Sequence, residues 1–399
     1  VSKPPIFFYR SLMRSNLNFF SDEKFRSIFF QTLVVGLFAL GIFFIVQTTA
    51  YNLEKRNIAT GWRFLTDPAG FDISFSPFID FKSTDTHLDV YFVGVLNTLL
   101  VSFCGCIAAT ILGFLVGIIR LSSNWLLVRV AYIYVEFTRN VPLLLQIILW
   151  YSILIQLPRV KQSLEFLDVF FISNRGIYSP RPVFENGFSY VFIAFLLALI
   201  SSFILRKWAK KRQDTTGRQF PVITSAIGMI VILPLLLFFI IGSPLSFDYP
   251  ALKGFNFKGG MVIRPEFIAM FLALTIYTAA FISETVRSGI MSVTKGQREA
   301  SASLGLKKSW IMRLIIIPQA LRVIVPPLTS QYLNLTKNSS LGIAVGYADL
   351  VHGFGGISLN QTGQAIECMV IVMATYLTIS LTISLFMNIY NRSIQFKEK

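Results

Sequence analysis

A chain of 399 residues with 54% hydrophobic residues, only 14% charged residues and a mean hydropathy of +0.63 lies outside the composition of soluble globular proteins, where about a quarter of residues are charged. Its 39 phenylalanines exclude intrinsic disorder, which needs low hydrophobicity and high charge. The formal charge of +16 needs no nucleic-acid partner, because the cations of an inner-membrane protein gather in its cytoplasmic loops.

A membrane-spanning helix needs about 20 apolar residues. The first such run, residues 28–47, is uncharged and too long for the apolar core of a signal peptide, so it reads as a retained helix. The second covers 90–119. An amphipathic stretch, 125–140, with Arg129, Glu136 and Arg139, leads into a third span at 141–157, whose first turn is marked by Pro142. Spans four and five, 190–205 and 220–242, flank the polar segment RKWAKKRQDTTGR and form a helical hairpin. The sixth covers 267–286. Residues 311–336 are apolar but contain Pro318, Pro326 and Pro327, which predicts one proline-broken span. The last runs from 366 to 390. Trp62, Trp125, Trp150, Trp208 and Trp310 suit interfacial anchors near several span ends.

The resulting fold class is all-α, a polytopic transmembrane protein of about eight spans. With both termini in the cytoplasm, the cytoplasmic segments carry 23 Lys and Arg and the opposite side 11, the bias expected of a bacterial inner membrane protein. Cys104, Cys106 and Cys368 lie in apolar runs and suggest no disulfide framework. His87 and His352 read as separate loop residues, and no cluster has metal-ligand spacing, so no metal site is expected. No G-x-x-x-x-G-K-[ST] motif occurs, so this chain is not expected to bind and hydrolyse ATP through a P-loop of its own.

The segment GQREASASLGLKKSWIMRLIIIPQA lies on the predicted cytoplasmic side. Its small residues at 300–303 suit a short helix able to approach another protein closely, Gly305 supplies a left-handed stop, and Pro318 is expected to halt the next helical stretch. Arg298 and Glu299 offer charge to a partner. With no core of its own, such a knob suits docking better than catalysis.

Glu299-Ala300-Ser301, then Gly305, then Ile315-Ile316-Ile317-Pro318 closely resembles the coupling-loop signature of binding-protein-dependent ABC importer permeases, with Ser301 and Ile317 as conservative departures. Asn97-Thr98, EFTRNVPLL from Glu136, Phe281 to Ile290 and NLTKNSSL resemble the polar amino acid permeases in particular. The N-terminal loop with IATGWRFL and AGFDI, and the inserted hairpin, resemble the longer Q-type permease subunit of general L-amino acid importers.

The resemblance implies a type I importer core over 90–392, with an inserted hairpin at about 190–242 and a coupling loop at about 287–318. It is preceded by 1–89 (cytoplasmic N-terminus, first helix, periplasmic loop) and followed by a tail, 393–399. It implies a second permease subunit, a cytoplasmic ABC ATPase dimer carrying ATP and Mg, a periplasmic amino-acid-binding protein and an L-amino acid substrate. The resemblance further implies that this chain binds no cofactor of its own and that the ATPase docks on 291–309, the docking-loop residues being Arg298, Glu299, Ala300, Ser301 and Gly305, with Pro318 at the end of the wider 287–318 loop.

Two further sets of residues suggest themselves. Lys337, with Thr336, Asn338 and Ser339, forms a polar cluster at the end of the broken span, where a cation either receives a substrate carboxylate or snorkels to the headgroups. Glu136 and Arg139 are spaced to pair on one helix face, and Glu284 is either a gate pairing with Arg287 or a surface acid. The rival to an ATP-driven permease is an ion-gradient-driven secondary amino acid transporter. The scarcity of mid-span carboxylates counts against it, and the absence of any nucleophile, base and metal constellation counts against an embedded enzyme.

Overall fold

The computed structural model describes residues 23–55 and 60–395. Most of the N-terminal segment assigned to the cytoplasm, the start of the IATGWRFL stretch and the end of the 393–399 tail lie outside the described residues.

Among the described residues the apolar runs form α1 (Glu23–Lys55), α2 (His87–Ile119), α3 (Trp125–Asn140), α4 (Leu143–Ile155), α5 (Phe188–Thr216), α6 (Val222–Ile240) and α7 (Pro265–Met291), then α8 (Lys295–Ser303), α9 (Lys308–Ile311), α10 (Ile317–Asn338) and α11 (Ala365–Ile394). Seven helical segments are long and apolar enough to span a bilayer, and eight if α3 and α4, bent by 107°, count as one. That agrees with the expected count.

Local chemistry sets the ends. Thr86 and Asp89 exchange hydrogen bonds in a capping box that starts α2, and Asn124 accepts from the Leu126 and Leu127 N–H groups to start α3. Pro142 sits at the α3–α4 bend. There Gln146 Nε2 donates to the Thr138 and Val141 carbonyls, both at 3.0 Å, satisfying acceptors the bend releases.

The core forms around α7. Met270, Ala273, Leu274, Ala279, Ile282 and Val286 meet Val101 and Ala109 of α2, Leu143 and Ile147 of α4, and Ala320, Ile324, Leu328 and Leu335 of α10. Close approach depends on glycine. A Cβ at Gly113 would lie 2.6 Å from Ile282 Cβ, and one at Gly117 would lie 2.8 Å from Val286 Cβ. Gly105, Ala109, Gly113 and Gly117 recur every four residues, giving α2 a small-residue stripe, the usual device for helix contact where no hydrophobic force separates protein from lipid. A second cluster, including Phe64, Val90, Leu350, Phe354 and Cys368, joins the 60–86 loop to α2 and α11.

Two expectations about prolines are corrected. Pro326 and Pro327 do not divide α10, which runs through them packed between α7 and α11. Pro318 does not halt a helix but sits in its first turn. The turns before it widen over Met312–Ile316, with the Ile317 N–H reaching the Met312 carbonyl, which absorbs the donor that proline lacks.

Outside the helices the chain adds strands that hydropathy did not reveal. Leu164–Phe166 (β1), Phe170–Ser173 (β2), Gly176–Ser179 (β3) and Met261–Ile263 (β8) form an antiparallel sheet in that order. Arg181–Phe184 (β4) pairs with Leu245–Asp248 (β5), and Ala251–Lys253 (β6) pairs with Asn256–Lys258 (β7). Val160, Tyr178 and Phe257 give this region a small core, with the Phe257 ring 4.6 Å from both Phe171 and Tyr178. The β4–β5 ladder closes the base of the α5–α6 hairpin, so the hairpin begins and ends at one place.

Candidate coupling knob and polar path

The Met291–Trp310 region projects from the end of α7. Ser301, 4% exposed, faces inward and donates to the Gln297 carbonyl at 2.5 Å, while Glu299, Ala300 and Ala302 face outward. Gly305 has φ +76°, as a left-handed stop requires. Beyond it the chain turns through α9, leaving Leu304 80% and Trp310 54% exposed.

Two expectations for the knob are revised. It has a core of its own, built from Val293, Ile311 and Ile316 with Ile290 and Leu306, so it is a rigid extension of α7 and α10. Arg298 does not present its charge outward. Its guanidinium turns back to donate to the Ile290 carbonyl at 2.7 Å, which leaves Glu299 as the outward charge of that pair.

At the knob's base Glu284 is no isolated surface acid. It accepts from Arg287, the expected neighbour, at 2.5 Å, and also from Arg120 at the end of α2. Among the described residues these are the two salt bridges, and both use Glu284, tying α2 to α7 beside the knob. Arg120 is the partner that sequence reasoning missed. Its place at the same predicted membrane boundary as Glu284 was the available signal. The Glu136–Arg139 pair does not form. Arg139 lies over the Phe281 ring at 5.4 Å, while the Asn140 amide donates to the Glu136 carbonyl.

The Lys337 cluster divides between two helix faces. Thr336 and Ser339 are buried and satisfied by the Tyr332 and Thr336 carbonyls, with Tyr376 Oη 3.3 Å from Ser339 Oγ. Lys337 and Asn334 are exposed on the other side of α10, with Asn338 half-buried beside them.

A further polar group lies in the turns after α10. Asp349, fully buried, accepts from the His352 N–H at 2.8 Å and from Tyr376 Oη at 3.3 Å, while Asn97 Nδ2 donates to the Ala348 carbonyl and Tyr347 Oη to the Asn97 carbonyl. Burial pushes the Asp349 carboxyl up to about 6, against those hydrogen bonds, which pull it down. The folded state therefore holds this proton more tightly than the unfolded chain. Its contribution to stability is full below about pH 3.8 and is lost as the pH rises through about 6. Asp349→Asn, which keeps the acceptor for His352, is expected to flatten the fall in melting temperature across that window. An unchanged slope excludes Asp349 as its source.

The histidines are not loop residues. His87 opens α2, buried, with Nδ1 2.9 Å from Ser358 Oγ, and His352 lies within the Leu350–Ser358 turns. Ser358 is fully buried, so this serine–histidine pair ties two elements together rather than facing a substrate.

These features define a helical membrane protein with a rigid knob at one face. Residues 194–396 match the family model described as "Binding-protein-dependent transport system inner membrane component". The chain is 48% identical over 95% of its length to the general L-amino acid transport system permease protein AapQ of Rhizobium johnstonii, covering 94% of that protein. It is 47% identical over 98% of its length to a putative amino-acid ABC transporter permease protein, YhdX, of Escherichia coli K12, covering 99% of it. A glutamate/glutamine/aspartate/asparagine transport system permease protein, BztB, of Rhodobacter capsulatus is 42% identical over 95% of this chain and is itself 96% covered. The chain belongs to the binding-protein-dependent inner-membrane permease family. It is thus a multi-pass inner-membrane transport component, and the family does not favour the ion-gradient-driven alternative.

Proposed function

We propose that this chain is the permease subunit of an ATP-driven importer that passes L-amino acids, delivered by a periplasmic binding protein, through a path shared with a second permease. The observation that carries the proposal is the knob: a braced helix with Glu299 and Leu304 outward, fixed to α7 and to the Glu284–Arg120 contact. A partner that pushes on α8 moves α7 and α2 together, and differential binding of a nucleotide-loaded partner to two arrangements is what alternating access requires. The names of all three relatives support the substrate class. Both termini face the cytoplasm, on the strength of the Lys and Arg bias. ATP and Mg belong to the ATPase, and this chain holds no cofactor.

Lys337 is the proposed contact for the substrate carboxylate. It lies on the exposed face of α10, with Asn334 and Asn338, where a second permease would close the path. Lys337→Ala is expected to raise the uptake KM about tenfold or more through loss of a charge-assisted hydrogen bond. An unchanged KM assigns the lysine to the headgroups.

The test of the whole proposal is gentle purification of the tagged chain from its native membrane. Stoichiometric co-purification of a P-loop ATPase and a second permease, with hydrolysis stimulated by amino-acid-loaded binding protein, is expected. A chain that runs alone and moves amino acid down an ion gradient would overturn it.

A further inference from the structure

The α5–α6 hairpin is not needed to build the core around α7, and its role is separate from the knob and the Lys337 face. Its two helices are unequal. At about 1.5 Å per residue, α5 with 29 residues runs about 43 Å and α6 with 19 residues about 28 Å, so α5 extends beyond the hydrocarbon at the end near Arg206. Val191, Ala194 and Ala198 are buried in the half near the β4–β5 ladder. Toward the other end the helices enclose a groove of about 660 Å³.

The lining of that groove is ordered like an amphiphile. Along α5 it passes from Leu199 and Phe203 to Arg206, Lys210 and Gln213, while α6 faces it with Ile223, Ile227 and other apolar residues. Two cations and no carboxylate line it, and among the described residues neither cation is in a salt bridge. The rim marks headgroup depth. Trp208 stands edge-on to Phe220 at 5.5 Å, and the Arg212 guanidinium lies 5.3 Å from the Trp208 ring, an aromatic and cationic arrangement suited to the membrane interface.

We propose that this hairpin binds an anionic phospholipid, with an acyl chain lying along Leu199, Phe203, Ile227 and Ile230 and the phosphate held by Arg206 and Lys210. A free anion has no use for the apolar half. A neutral lipid leaves two unpaired cations at the mouth. Basic sites between membrane helices at this depth are suited to anionic headgroups. The site is independent of which amino acid the permease carries.

The test uses the full-length chain in detergent, titrated with phosphatidylglycerol or phosphatidylcholine and read by native mass spectrometry. Phosphatidylglycerol is expected to be retained about tenfold better than phosphatidylcholine, and Arg206→Gln with Lys210→Gln is expected to erase the preference. Lys207→Gln with Lys211→Gln removes the same charge from the same helix at positions that do not line the groove, and is expected to leave the preference intact. Equal losses in the two double variants, or no preference in the parent chain, would overturn the site. So would cross-linking of a Ser202→Cys variant to a second permease chain in native membranes, because a protein helix would then fill the groove.

Discussion

Gly113→Val is expected to cost the protein its compact membrane core. The added Cβ falls 2.6 Å from both Cβ and Cγ2 of Ile282 and 3.0 Å from the Ala279 carbonyl oxygen. Rotating a side chain relieves none of the backbone part of this clash, so α2 and α7 must move apart. One turn on, Gly117 makes the same kind of approach, with a Cβ there 2.9 Å from the Ser283 carbonyl, so separation at Gly113 also opens that contact. Overpacking of a tight core costs about 1–3 kcal/mol, and loss of the neighbouring contact adds to it. A fall in apparent melting temperature of roughly 5 °C or more, or loss of the monodisperse peak in detergent, is the expected reading. Gly36→Ala is the matched control. A Cβ at Gly36 meets nothing within 4 Å, so alanine there is expected to leave the melt unchanged or slightly raise it. A Gly113→Val protein that melts with the parent would show that α2 and α7 do not depend on this approach.

The contrast between Gly113 and Glu284 shows what the sequence could carry. Spans are local: a run such as 28–47 declares itself by length and hydropathy, and Gly305 by its place after a short helix of small residues. The four-residue stripe Gly105, Ala109, Gly113 and Gly117 was also written locally, but stripe periodicity does not say which helix it receives. That depends on Ile282 and Val286, far along the chain. The Arg120–Glu284 bond joins residues 164 apart for the same reason. Strands of three or four residues, such as Gly176–Ser179, are shorter than any window that separates strand from membrane helix by hydropathy, and the pairing of Gly176–Ser179 with Met261–Ile263 crosses the whole hairpin. Arg298 fell to a different limit. Sequence places it beside Glu299 on a short helix, but only the position of the Ile290 carbonyl decides that one charge points in and its neighbour points out.

That division makes Glu299→Lys the sharpest test of the proposed docking surface. The Glu299 side chain is exposed and its carboxylate enters no salt bridge among the described residues, so reversing its charge leaves the knob's core of Val293, Ile311 and Ile316 intact. The variant is therefore expected to insert and melt like the parent. Its effect falls on the partner. A cation placed where the docked ATPase meets an anion replaces attraction with like-charge repulsion, worth several kcal/mol at a desolvated contact, so uptake is expected to fall roughly a hundredfold or more. ATPase subunits should be lost from the purified complex while the second permease is retained. Gly305→Val attacks the same surface differently: φ of +76° strains a β-branched residue by about 1–2 kcal/mol and displaces Leu304 without changing charge. Coupling should weaken in both variants, but only Glu299→Lys should make the residual association strengthen with added salt, because screening relieves repulsion and does nothing for a misplaced backbone. Intact ATPase association and uptake in the Glu299→Lys protein would remove the outward face of α8 from the docking surface.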